Sequence, residues 1–195
     1  MRAIHILSTV PISSTYDGNN ILLPFEVMST ALSALLWSKN NGPIKFYTDR
    51  KGYDFFKSVD LLDLWDGGVD TYVVDAIDGI NQNVFWAAAK LYALKEESAP
   101  VTLIDTDLFV WGDIRDTLNK SEIAVLHRED LEQTDCYLPS YELGVRDGYC
   151  YDPEWDWSEN PCNTALAYFR DDGFKNYYVS KAIDLMYRNE GPALG

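Results

Sequence analysis

Asp105 and Asp107 stand one residue apart, directly behind the mainly apolar run Val101-Thr-Leu-Ile104. In a chain that stays extended through Thr106, both carboxylates leave the same side, about 7 Å apart at their Cα atoms. Two hard anionic oxygens at a strand end suit Mg²⁺ or Mn²⁺. These ions take one or two protein carboxylates and fill their other positions with water and phosphate oxygens. An ion held there neutralises a diphosphate and favours its departure as a leaving group. Asp is also common in ordinary turns, so the pair gains meaning only from the elements that position it.

Those elements alternate. Ala3–Val10 reads as a strand that runs into a Pro11 loop. Phe25, Met28, Leu32, Leu35 and Leu36 recur at helical spacing and predict a helix with that face buried. Asn41–Pro43 stops this helix, Ile44–Thr48 predicts a second strand, and Asp49 is placed to cap a helix through Phe55, Phe56 and Val59. Val69–Val74 predicts a third strand. Asn81 is placed to cap a helix with Val84, Ala87, Ala88, Leu91 and Leu94 on one face, and Pro100 ends it ahead of a fourth strand, Val101–Ile104. A short helix near Ile114–Leu118, strands at Glu122–Leu126 and Cys162–Phe169, and a closing helix complete the pattern. The closing helix places Phe174, Tyr177, Tyr178, Ala182, Leu185 and Met186 on one stripe. Such alternation predicts an α/β fold, a single domain over 1–195 with a mostly parallel central sheet and helices on both faces. Ligands of these sheets bind beyond the carboxyl ends of the strands, at the switch point in strand order.

Composition narrows the partners. A net charge of -15 argues against nucleic acid and against a polybasic hold on anionic lipid. Hydrophobic residues at 47% exclude disorder as the dominant state. No apolar run approaches the roughly 20 residues of a transmembrane helix. The start of the chain, interrupted by His5, Ser8 and Thr9, reads as a buried strand rather than a signal peptide. Cys136, Cys150 and Cys162 are odd in number and widely spaced, which fits a reducing, cytoplasmic setting. His5 reads as a satisfied core residue. His127, at the end of the fifth strand, fits either the active-site side or a sheet-edge hydrogen bond.

The segment 129–159 has no periodicity and holds ten acids against one base, Arg146. It also carries Tyr137, Tyr141, Tyr149, Tyr151, Trp155 and Trp157. Rings beside carboxylates suit carbohydrate, because a ring covers the apolar face of a pyranose while carboxylates accept its hydroxyls. A solvated acidic loop whose rings pack on the core is the competing reading.

Leu103-Ile-Asp-Thr-Asp-Leu-Phe-Val110, followed by Trp111-Gly-Asp-Ile114, resembles the Asp-x-Asp segment of GT-A glycosyltransferases, in particular bacterial capsular-polysaccharide and glycosyltransferase 8/32 enzymes. Ile4-His-Ile-Leu7, Phe46-Tyr-Thr-Asp49, the helix around Lys90 and Pro161-Cys-Asn-Thr-Ala-Leu-Ala-Tyr-Phe169 resemble their other donor-site segments, in the same order. The resemblance implies a GT-A fold that moves a sugar from a nucleotide-diphosphate donor to a carbohydrate or glycolipid hydroxyl. It implies Asp105 and Asp107 as ligands of Mn²⁺ or Mg²⁺, with Asp49, Lys90 and Asn163 at the donor. Tyr151, Trp155 and Trp157 are offered for the acceptor, and Glu154 and Asp156 for a general base should configuration invert. Ala165 stands where the family has Gly, and no His follows His127 to serve as a third ligand. Such domains commonly run past 195 residues. An incomplete or non-catalytic nucleotide- or carbohydrate-binding domain is therefore the alternative expectation, ahead of a metal-dependent phosphohydrolase.

Overall fold

The computed structural model describes residues 1–12, 21–130, 139–146 and 148–192. Six strands form one sheet: β1 (Arg2–Leu7), β2 (Ile44–Thr48), β3 (Val69–Asp70), β4 (Val101–Ile104), β5 (Ile123–Arg128) and β7 (Cys162–Phe169), in the order β3-β2-β1-β4-β7-β5. The first four run parallel, and β7 lies antiparallel between β4 and β5. The sheet is thus mixed but largely parallel, as the alternation predicts.

Successive residues of its strands point to opposite faces. Ala3, Phe46 and Ile104 pack with Ala34 and Trp37 of α2 (Pro24–Asn40) and Phe56 of α3 (Arg50–Ser58). Ile4, Tyr47 and Leu103 pack on the other face with Ala88, Leu91 and Leu94 of α5 (Ala88–Glu96) and Val179 and Met186 of α7 (Asp172–Tyr187). Three four-residue turns, α1 (Thr9–Ile12), α4 (Tyr72–Asp75) and α6 (Arg115–Leu118), are the remaining α-helices among the described residues. From β1 the chain steps outward to β2 and β3, then returns to the free side of β1 as β4. The strand order reverses between β1 and β4.

Several boundaries differ from the sequence reading. β1 stops at Leu7 because the chain turns into α1 at Thr9, and the third strand stops at Asp70 because Tyr72 begins α4. Asn81 accepts from the Asn83 amide in a turn, and the helix itself starts only at Ala88. Within 129–159 a short strand β6 (Leu143–Val145) pairs with β8 (Asn189–Pro192), a non-local pairing without periodicity to announce it. Cys136, Tyr137 and the acids Glu132, Asp135 and Asp147 lie outside the described residues.

The largest correction concerns α2. Its buried residues are Thr30, Ser33, Ala34 and Trp37. Phe25, Met28, Leu32 and Leu35 are 61%, 68%, 37% and 52% exposed. At about 100° per residue the two sets lie on opposite sides of the helix. The face against the sheet uses small and hydrogen-bonding residues, which periodicity assigns to solvent. The closing helix keeps part of its expected stripe: Met186 is buried and Tyr178 and Ala182 pack on the core, while Phe174 and Tyr177 are exposed and Lys175 and Val179 take buried places. Among the described residues no helix is long and apolar enough to cross a membrane.

Candidate functional site

A cleft of about 510 Å³ opens at the carboxyl ends of β1 and β4, where the strand order reverses. Ile6, Leu7 and Ser8 line it from β1, Asp105, Thr106 and Asp107 from the turn after β4. Leu22, Phe25, Glu26, Ser29 and Thr30 form a wall at the start of α2, and Trp86, Ala89 and Lys90 one at the start of α5. The volume falls in the range of small-molecule sites, and so does the mixture of apolar wall and few charged groups.

Asp105 does not continue the strand. Its amide donates to the Ala165 carbonyl on β7 at 2.8 Å, and its own carbonyl accepts from the Leu108 amide at 3.1 Å, which closes a turn over Thr106 and Asp107. The extended geometry expected for the two carboxylates is replaced by this turn, yet both line the same cleft. Asp105 Oδ1 is in ion contact with Lys90 Nζ, which also stands 5.5 Å from the centre of the Trp86 ring. Asp107 is exposed at the mouth. Hard carboxylate oxygens beside a cleft fit Mg²⁺ or Mn²⁺ when substrate oxygens and water complete the shell. Among the described residues no group of three or more His, Cys, Asp or Glu could hold a metal without such help.

Beneath the turn runs a chain of hydrogen bonds whose direction is fixed by chemistry. Trp65 Nε1 can only donate, and it donates to His5 Nδ1 at 3.2 Å. The proton of neutral His5 therefore sits on Nε2, which meets Ser33 Oγ at 3.1 Å. Ser33 in turn donates to the Leu108 carbonyl at 2.6 Å, with the Asp105 carbonyl at 3.4 Å. Full burial of His5 pushes its pKa down to about 3, so the ring stays neutral and the chain keeps its sense. His5 is the satisfied core residue the sequence suggested, and it also props the turn that carries both aspartates.

Residues 21–192 match the model of a family of unknown function, DUF6734. The chain belongs to that family. No curated protein matches it. The DUF6734 stretch contains Lys90, Asp105, Asp107 and Asn163, and it begins after β1, so His5 and Ser8 fall outside it.

Of the remaining candidates, Asp49 is the cap of α3: Oδ1 accepts from the Gly52 amide at 2.8 Å, and Oδ2 from the amide and hydroxyl of Thr9 at 2.6 and 2.8 Å. Its carboxylate ties the turn after β1 to α3, and it is not among the described residues lining the cleft. Asn163 sits at the same sheet end on β7, opposite His127. Its amide donates to Glu129 Oε1 at 2.5 Å and accepts from the Ala165 amide at 2.9 Å, which braces the strand that receives Asp105.

Tyr151, Trp155 and Trp157 do come together. Tyr151 lies 5.0 Å from Trp157 and 6.5 Å from Trp155 between ring centres, and its hydroxyl donates to the Ser140 carbonyl. Lys181 of α7 holds Asp152 at 3.2 Å. The Glu154 amide and then Lys181 keep the Asp152 carboxyl below its usual range. Asp156 is likewise held down by the Ser158 hydroxyl and amide, which makes it a poorer proton acceptor. None of these residues lines the cleft. Trp86, Ser29 and Thr30 do line it and were missed. An aromatic just ahead of a helix start was the available signal for Trp86, and Ser29 and Thr30 carried none.

Proposed function

We propose that this DUF6734 chain is a GT-A-type glycosyltransferase domain that binds a nucleotide-diphosphate sugar in the cleft between β1 and β4. The observation that carries the reading is the convergence of Lys90, Asp105 and Asp107 at the strand-order reversal of a largely parallel sheet. Lys90 and the positive N-terminal end of α5 favour the diphosphate. Asp105 and Asp107 would hold the divalent cation, which when bound neutralises the diphosphate and favours its departure. Trp86, 61% exposed at the rim, offers a flat face for the base or sugar ring. Tyr151, Trp155 and Trp157 supply an aromatic surface for a carbohydrate or glycolipid acceptor. A binding domain without turnover is the second reading. It is favoured by the two-carboxylate donor set and by the absence of Glu154 and Asp156 from the cleft lining.

Calorimetric titration of UDP and of GDP, each with and without Mn²⁺, into wild type and Asp107→Ala tests the donor site. Metal-dependent binding that disappears in Asp107→Ala is the expected result. Binding indifferent to both Mn²⁺ and Asp107, or no binding of either nucleotide, counts against it. Release of free nucleotide from a bound nucleotide sugar then separates transfer or hydrolysis from binding alone.

A further inference from the structure

Phe25 and Trp86 line one cleft from helices on opposite faces of the sheet. Phe25 belongs to the first turn of α2, which covers the face with Phe46 and Ile104. Trp86 stands just ahead of α5, which covers the face with Tyr47 and Leu103. Each ring is 61% exposed. In the core, rings find one another: Phe46 stacks on Trp65 at 4.1 Å, and both meet Phe56. Among the described residues neither Phe25 nor Trp86 has a ring partner, and Trp86 meets only the Lys90 ammonium, 5.5 Å from its ring centre. The start of α2 is held in place, since Pro24 fixes its first residue and the Leu23 amide donates to Glu26 Oε2 at 2.6 Å. Phe25 is therefore carried by backbone that is already ordered before a ligand arrives.

Given the nucleotide site proposed above, on which this inference rests, we propose that Phe25 and Trp86 clamp the nucleotide base between them and that the clamp selects purine over pyrimidine. A nucleobase offers a π-face to each of two rings, whereas a pyranose offers its apolar face to one. Asp49, the carboxylate expected at the donor, accepts three hydrogen bonds of its own and does not line the cleft. Beside Phe25 the wall carries Glu26, engaged at the Leu23 amide, and the hydroxyls of Ser29 and Thr30. A hydroxyl donates or accepts by rotating, so it meets the edge of guanine and of adenine alike. Ring area then decides. The two fused rings of a purine cover more of both aromatic faces than the single ring of a pyrimidine.

Calorimetry in the presence of Mn²⁺ compares GDP, ADP, UDP and pyrophosphate, the last a ligand without a ring. Wild type is expected to bind GDP and ADP within about threefold of each other, and both several-fold tighter than UDP. Phe25→Ala and Trp86→Ala, both at exposed positions, are each expected to weaken GDP about tenfold. Pyrophosphate binding, circular dichroism and melting stay as in wild type. Trp86→Phe, which keeps a smaller flat face, falls between. GDP quenches part of the wild-type tryptophan fluorescence, and that part disappears in Trp86→Phe. GDP affinity within about twofold of wild type in both alanine variants, with binding still lost in Asp107→Ala, overturns the clamp and leaves the donor site standing. UDP as tight as GDP, or GDP and pyrophosphate weakened alike, also overturns the clamp. Absence of binding by all four ligands overturns the donor-site reading and the clamp together.

Discussion

Ser33→Ala removes the middle link of the chain that runs from Trp65 through His5 to the turn holding Asp105 and Asp107. The substitution leaves His5 Nε2–H inside the protein without an acceptor, because Trp65 already occupies Nδ1 and the ring is fully buried. An unsatisfied buried donor costs about 1–3 kcal/mol. Taking about 2 kcal/mol for that donor and about 1 kcal/mol for the lost bond to the Leu108 carbonyl, a domain of this size loses roughly 6–12 °C in melting temperature. A second background isolates the cause. In His5→Phe no Nε2–H remains, so Ser33→Ala then removes only the bond to the Leu108 carbonyl, about 1 kcal/mol. Urea unfolding of wild type, both single variants and the double variant should therefore give a coupling near about 2 kcal/mol, the cost of the orphaned donor. The turn also loses its anchor, so Mn²⁺-dependent nucleotide binding should weaken in Ser33→Ala. An equal loss in both backgrounds, or a loss below about 0.5 kcal/mol in the first, refutes the directional chain.

His5 also sets a pH dependence. Its folded pKa of about 3 lies below its unfolded value near 6.5, so the unfolded chain takes up a proton that the folded chain refuses. Stability is unaffected above that unfolded value and falls as pH drops from about 6.5 toward 3, by about 2 kcal/mol at pH 5. Urea unfolding of wild type and His5→Gln at pH 8 and pH 5 checks this, since other groups titrate alike in both; equal slopes would falsify it. Lys90→Ala should move two affinities in opposite directions. Mn²⁺ alone binds several-fold tighter once Asp105 loses its cation, while nucleotide diphosphate with Mn²⁺ binds more weakly. Calorimetry that finds both constants shifting the same way removes Lys90 from the diphosphate site.

The parts of the fold that were legible are those whose signal is local. Ile44–Thr48, Val101–Ile104 and Cys162–Phe169 are short apolar runs between clear breakers, and each begins and ends where the composition changes. The antiparallel direction of β7 and the β6–β8 pair were not legible. Direction depends on where the chain returns, and a three-residue strand paired across more than forty residues leaves no period behind. The same division runs through the site. Asp105 and Asp107 were found because an apolar run delivers them, and Lys90 because a resemblance pointed to its helix. Ser33 was invisible, since a serine in a helix gives no sign that a carbonyl from a turn 72 to 75 residues away lies within reach.

Asp49 and α2 show two ways in which a correct observation receives a different role in the fold. Asp49 was identified both as a cap and as a donor contact, and the structure shows the cap: three donors converge on its carboxylate. A carboxylate so filled has little left for a ligand, but by fixing Thr9 it holds the segment after β1 that forms the cleft floor. For α2 the periodicity itself was correct, since Phe25, Met28, Leu32 and Leu35 do share one side of a helix. Apolar periodicity reports which face avoids water, and it does not say whether the chain's own sheet or another molecule provides the cover. On α2 the sheet takes the face with Thr30 and Ser33 because that face can hydrogen-bond the Asp105–Leu108 turn, which an all-apolar face cannot. Positioning the aspartates and burying the apolar stripe therefore compete for one side of one helix, and the aspartates hold it.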